Sequence, residues 1–261
     1  MIELKHQTIE NIPVIEVYPK GREKETLPTV FFYHGWESRK ERVLEYGYVL
    51  AQKGFRAVLP EALDHGERRA EKVTENDPMN FWNIVIQSVQ EFSLLVDNYC
   101  KNKKTIKDKI GVAGLSMGGI ITSAMLTQYE WINAAAVLMG SPNPIEFSEW
   151  LLKNYKIDGT ALYDLLDQEM IKTRLKELNS ISLNKQPEKI AERPVYFWHG
   201  TKDPIVPMHI TQKFIAEIEN ETYSSNLEFE TTPGIKHKVP QEIIHKMTYF
   251  FEQKLMENGE E

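Results

Sequence analysis

Apolar residues recur along this chain in two alternating rhythms. Short runs rich in β-branched and aromatic residues, at Ile12–Val17, Thr29–Tyr33, Phe55–Leu59, Lys109–Ala113, Ala134–Met139, Val195–Trp198 and Leu227–Glu230, read as strands. Other stretches carry apolar residues three and four apart. Met79–Tyr99 does so with Phe81, Ile84, Val85, Val89, Phe92, Leu95 and Val96, and Arg39–Lys53, Met117–Tyr129, Met208–Ile218 and Gln241–Leu255 read likewise as helices. Gly54 closes the first of these helices, and Pro60 ends the strand that follows it. Strands alternating with helices predict an α/β fold: a mostly parallel central sheet with helices on both faces. Sites in such sheets form at the carboxyl ends of the strands.

One stretch breaks the rhythm. Residues 140–193 show helical spacing at Phe147–Tyr155 and Ala161–Leu178 but no evident strand. Ser141-Pro142-Asn143-Pro144 and Gln186-Pro187 mark the exit from the sheet and the return to it. The expectation is a small helical cap or lid inserted in a single domain spanning residues 1–261; a helical excursion remote from the chemistry is the alternative. The acidic tail Glu257–Glu261 is expected to fray.

Composition narrows the partners. A net charge of −7 and an isoelectric point near 5.6 argue against general affinity for nucleic acid or anionic membrane, which both require clustered positive charge. Met1-Ile2-Glu3-Leu4-Lys5-His6 lacks the layout of a secretory signal, and no run approaches the roughly 18 apolar residues of a membrane helix. Cys100 is the single cysteine, so an intrachain disulfide is impossible and a cytoplasmic location is expected.

The chemistry centres on Gly114-Leu115-Ser116-Met117-Gly118, a G-x-S-x-G pentapeptide between an apolar strand and a helix. There it describes a strained turn that lifts the serine hydroxyl above the sheet, the glycines leaving room where strand and helix crowd together. A Gly-rich loop with an incidental serine has the same spelling. What separates the two is whether the chain also supplies a base and an acid, because a serine hydroxyl is a poor nucleophile until its proton is taken. Asp203 follows the Val195–Trp198 strand, in His199-Gly200-Thr201-Lys202-Asp203-Pro204, and His237 follows Leu227–Glu230, in Pro233-Gly234-Ile235-Lys236-His237. Taken singly, Asp203 fits a turn aspartate and His237 a solvated loop histidine; together, the order Ser116, Asp203, His237 is that of a catalytic triad. His245 falls within the last helical pattern and is not preferred.

Acyl transfer also needs backbone donors for the oxygen that becomes negative. The N–H of Met117, after the serine, is one candidate. The N–H of Trp36, in His34-Gly35-Trp36 just beyond the Thr29–Tyr33 strand, is the other. Trp36, His65, Trp82, Trp150 and Tyr163 are candidates for a substrate pocket; core packing is the plainer reading for the last three, and loop bracing for His65. No set of residues at metal-ligand spacing accompanies His65, and no phosphate-binding G-x-x-x-x-G-K-[ST] loop is present, so neither metal nor cofactor is expected.

Together with Ala57-Val58-Leu59-Pro60-Glu61-Ala62-Leu63-Asp64-His65-Gly66-Glu67-Arg68, these motifs resemble the α/β-hydrolase superfamily, and within it the bacterial prolyl-oligopeptidase-like esterases and peptidases. The resemblance covers nearly the whole chain. It implies a cytoplasmic, cofactor-free monomer or homodimer acting on a small-molecule ester as a serine carboxylesterase. A small serine peptidase or amidase is the alternative, and a non-catalytic protein that kept the pocket is a third. Trp36 is bulkier than the residue often found at its position, so its indole is expected to narrow the acyl pocket.

Overall fold

A computed structural model describes residues 1–69 and 80–256. Met79, where the second long helix is expected to begin, and the tail Glu257–Glu261 lie outside the described residues. Eight strands form one mixed sheet: β1 (Ile2–Ile9), β2 (Ile12–Pro19), β3 (Thr29–Tyr33), β4 (Arg56–Pro60), β5 (Ile110–Leu115), β6 (Ala134–Leu138), β9 (Val195–Gly200) and β10 (Leu227–Thr232). Their order is β1-β2-β4-β3-β5-β6-β9-β10. From β4 to β10 every pairing is parallel, whereas β1 pairs antiparallel with β2, and β2 with β4.

Strand β1 was not expected from the sequence. It is an edge strand in which Glu3, Lys5 and Gln7 alternate with half-apolar neighbours, so it lacks the apolar run that marks the central strands. Glu10 and Asn11, with φ of 49° and 63°, form the tight turn into β2.

Side-chain alternation along the central strands builds a core on each face. Phe31 and Tyr33 of β3, Ile110 and Val112 of β5, and Ala135 and Val137 of β6 point to one side. There they meet α2 (Phe81–Lys101), α3 (Met117–Gln128) and α7 (Met208–Ile218). Val30, Phe32, Ala113, Ala134 and Ala136 point to the other side, against α1 (Leu44–Gln52) and α8 (Gln241–Leu255). Helix α8 buries Ile243, Ile244, Met247, Phe250, Phe251 and Leu255 there, each contributing about 1.5–3 kcal/mol of transfer free energy. The expected helix over Arg39–Lys53 starts as a 3-10 turn at Lys40–Val43 before α1 begins.

The stretch between β6 and β9 holds α4 (Pro144–Asn154), α5 (Leu162–Leu165) and α6 (Gln168–Glu177), followed by short 3-10 turns. It also contains a small antiparallel pair that the helical reading omitted, β7 (Lys156–Ile157) with β8 (Thr160–Ala161). Its turn is Asp158-Gly159, with φ of 49° and 82°. Asp-Gly is the dipeptide that suits a two-residue hairpin, because both turn positions need positive φ.

Candidate active site

Strand β5 ends at Leu115, and α3 begins at Met117. Ser116 alone makes the reversal, at φ 56° and ψ −119°, a conformation that costs a non-glycine residue about 1–3 kcal/mol. The neighbouring glycines explain how the turn fits. A Cβ on Gly114 would lie 2.4 Å from the carbonyl carbon of Gly118, and one on Gly118 would lie 2.1 Å from the carbonyl oxygen of Tyr33. Nothing larger than hydrogen is possible at either position while α3 packs this closely on the sheet. Ser116 N–H donates to the Leu138 carbonyl at 2.9 Å, which ties the turn to β6.

Two neighbouring strand ends supply the partners of Ser116. His237 Nε2 lies 2.8 Å from Ser116 Oγ, and His237 Nδ1 lies 2.7 Å from Asp203 Oδ2. The two loops carrying them are fastened together: Lys202 N–H donates to the Ile235 carbonyl at 2.9 Å, and Gly234 N–H to Thr201 Oγ1 at 2.9 Å. His245 is exposed on α8.

Asp203 is held from all sides. Its Oδ1 accepts from the Ile205 and Val206 amides at 2.8 and 3.0 Å. Its Oδ2 receives His237 and also lies 3.3 Å from Nε2 of the fully buried His199. Burial works to raise this carboxyl, but the hydrogen bonds from His199 and His237 outweigh it and hold it well below the usual carboxylate range. His199 Nε2 also contacts the Val206 carbonyl at 2.8 Å. Both neighbours of that nitrogen are acceptors, so it carries the proton. The sequence does not announce the His199–Asp203 contact, because i, i+4 spacing across a strand end carries no signal of it.

The segments carrying the two expected oxyanion donors, Trp36 and Met117, both border the Ser116 turn. Met117 opens α3, so its N–H has no partner within the helix. The Gly35-Trp36 loop lies against the turn, since a Cβ on Gly35 would sit 3.2 Å from Leu115 Cδ1 and 3.5 Å from Ser116 Cβ. Trp36, Ser116 and Met117 line one cavity of about 420 Å³, whose walls are largely apolar: Phe81, Ile120, Phe147, Trp150, Leu151, Tyr155 and Val206.

Of the expected pocket residues, Trp36 and Trp150 are in this cavity. The other three are not. His65 is buried and bonded to two loops, its Nε2 accepting from the Glu37 amide of the loop after β3 at 3.0 Å and its Nδ1 lying 2.8 Å from the Leu63 carbonyl of its own loop. Its ring stands edge-on to Trp36 at 5.4 Å, so it props the indole from behind. Trp82 follows Phe81 on α2 and turns to a separate cavity under α4, while Tyr163 on α5 is exposed. Helical phase separates the first two, and phase is not resolved for a pair of adjacent aromatics in a sequence.

Beneath the Trp36 loop lies an ionic cluster that the sequence did not announce. Glu61 at the end of β4 is fully buried and meets Lys40 Nζ at 2.9 Å, the Lys40 amide at 3.0 Å and His34 Nε2 at 3.1 Å. Burial alone would raise the Glu61 carboxyl; contacts with His34 and Lys40 outweigh it and bring its pKa down to about 2. Among the described residues, His6, Glu41 and Glu67 are the one grouping with metal-ligand spacing, but Lys40 Nζ already sits on both of those glutamates.

The sheet order, the strained Ser116 turn and the strand-end placement of its partners define an α/β-hydrolase. Residues 15–241 match the dienelactone hydrolase family, and the chain belongs to that family. It is 39% identical, over 98% of its length and all of the relative's, to a protein of Bacillus subtilis (strain 168) named "Putative esterase YitV". It is 28% identical, over 98% of its length and all of the relative's, to "Esterase YjfP" of Escherichia coli (strain K12). Among solved structures, TT1662 from Thermus thermophilus superposes with a TM-score of 0.77 at 17% identity, covering 98% of this chain and 99% of that one. The acylaminoacyl peptidase of Pyrococcus horikoshii has the same fold, with a TM-score of 0.70 at 15% identity, covering all of this chain but 43% of that one. Among the described residues, no helix is long and apolar enough to cross a membrane.

Proposed function

We propose that this hydrolase is a serine carboxylesterase working through Ser116, His237 and Asp203. The observation that carries the reading is the unbroken chain Asp203 Oδ2–His237–Ser116 Oγ, with bonds of 2.7 and 2.8 Å, opening into an apolar cavity. His237 Nε2 takes the hydroxyl proton as Ser116 Oγ attacks the ester carbonyl, and Asp203 stabilises the imidazolium. The Trp36 and Met117 amides receive the negative oxygen, a pair in which each donor is worth about 3 kcal/mol of transition-state stabilisation. His237 then returns the proton to the leaving alcohol, and water, activated by the same histidine, cleaves the acyl-enzyme. Residues 140–193 act as the cap: Phe147, Trp150 and Leu151 of α4 roof the serine and keep the cavity dry.

The test is a fluorophosphonate probe, which is expected to label the wild-type chain and fail on Ser116→Ala. Absence of wild-type labelling, or equal labelling of both, refutes the mechanism. A peptidase reading draws on the shared fold of the acylaminoacyl peptidase. It predicts faster turnover of an aminoacyl amide than of its matched ester, and side-by-side rates separate the two.

A further inference from the structure

A second cavity of about 60 Å³ lies beneath α4, lined by Trp82, Ile86, Leu162, Ile171 and Leu175. Among the described residues, Leu151 is the one that lines both this cavity and the Ser116 cavity. Elsewhere the wall between them is aromatic. Phe81 and Phe147 face the serine side, and both rings pack edge-on against Trp82 on the far side, at 4.9 and 6.3 Å. Leu151 is thus the thin point of the partition. The charged side chains at the second cavity, Arg174 and Glu177, pair with each other at 3.0 Å, which leaves the space suited to hydrocarbon.

We propose that Leu151 sets the acyl-chain length accepted at Ser116, by separating the serine cavity from an apolar space that would otherwise extend it. This rests on the esterase reading above. The assignment to the acyl side follows from proton delivery. The alcohol leaves beside His237 Nε2, and Pro204, Ile205 and Val206, next to Asp203, wall that side of the cavity. The acyl chain is left with the wall formed by Phe81, Phe147 and Leu151.

The experiment is a series of p-nitrophenyl esters from acetate to decanoate, with kcat/KM measured for wild type, Leu151→Ala and Leu151→Phe. Opening the partition in Leu151→Ala moves the preferred chain longer by two or more methylenes. Each methylene newly buried raises kcat/KM about fourfold, so the octanoate-to-butyrate ratio grows by roughly tenfold or more. Thickening it in Leu151→Phe moves the preference shorter. Adding Leu175→Trp to Leu151→Ala refills the second cavity from its far wall and reverses the gain. Fluorophosphonate labelling of each variant reports an intact Ser116. An active wild type whose chain-length profile survives both substitutions overturns the Leu151 assignment. So does a changed preference in a series of alcohols esterified to acetate, because the partition would then serve the leaving group. A wild type that turns over none of the esters overturns the esterase reading itself.

Discussion

Replacing Asp203 with Asn tests the site at its most constrained atom group. The Asp203 side chain has no exposed surface and faces four donors. Ile205 and Val206 amides point at Oδ1, and His237 Nδ1 and His199 Nε2 at Oδ2. An amide has one acceptor oxygen and two N–H groups, so it satisfies one pair at most. If the oxygen keeps the backbone amides, the NH₂ group meets His237 and His199. His199 Nε2 carries a proton because its other neighbour, the Val206 carbonyl, is also an acceptor. That contact becomes donor against donor. His237 accommodates the change by accepting at Nδ1, which moves its own proton to Nε2, opposite Ser116 Oγ, where it can no longer take the serine proton. The expected loss in kcat is about 10⁴-fold, as for the wrong tautomer in other triads. The alternative orientation restores the tautomer but faces both backbone amides with a donor. In either case at least one hydrogen bond to a charged group is lost, costing about 1.5–3 kcal/mol. For a chain of this length, that lowers the melting temperature by roughly 3–12 °C. Steady-state hydrolysis of p-nitrophenyl acetate and a thermal melt read the two effects separately. Activity within about tenfold of wild type in a folded Asp203→Asn protein would show that Asp203 is not the acid.

Gly118→Ala places a Cβ 2.1 Å from the Tyr33 carbonyl oxygen and forces α3 off the sheet. A loss of about 1–3 kcal/mol or more is expected in urea unfolding, with labelling of Ser116 impaired, and an unchanged midpoint would contradict the packing argument. Lys40→Met strips the buried Glu61 carboxylate of its cation and should cost about 3–5 kcal/mol, so a change under about 1 kcal/mol would mean that Lys40 is not its main partner. His34 and Lys40 together set an acid limb through Glu61. With the folded pKa of Glu61 near 2 against an ordinary 4.5, its stabilisation is complete above the higher value and is lost as pH falls towards the lower. Unfolding free energies measured across that window should fall for wild type and fall less for Lys40→Met; parallel curves would assign the acid sensitivity elsewhere.

Much of this was legible in the chain because it is local or periodic. The alternation of apolar runs with helical spacing dictates a parallel sheet between two helical layers, since each kind of element must bury its apolar face. Ser116, Asp203 and His237 were readable because each follows a strand within a few residues, and strand ends in such a sheet lie on one edge. Strand β1 was not readable, because an edge strand solvated on one side needs no apolar run. Asp158-Gly159 carried a hairpin signal within a stretch dominated by helical spacing.

Which side chains share a space was decided by tertiary structure alone. Phe81 and Trp82 are adjacent in the chain, yet they face different cavities across a wall that also includes Phe147 and Leu151. His65, a pocket candidate whose plainer reading was loop bracing, lies outside the Ser116 cavity with its ring edge-on to Trp36. Buried Lys40, Glu61 and His34 meet only because β3, β4 and the turn before α1 converge. A sequence determines what each residue can bond and how each segment repeats. Distance between residues far apart along the chain is set by how the layers pack, and the depth of the cavity at Ser116 is a distance of that kind.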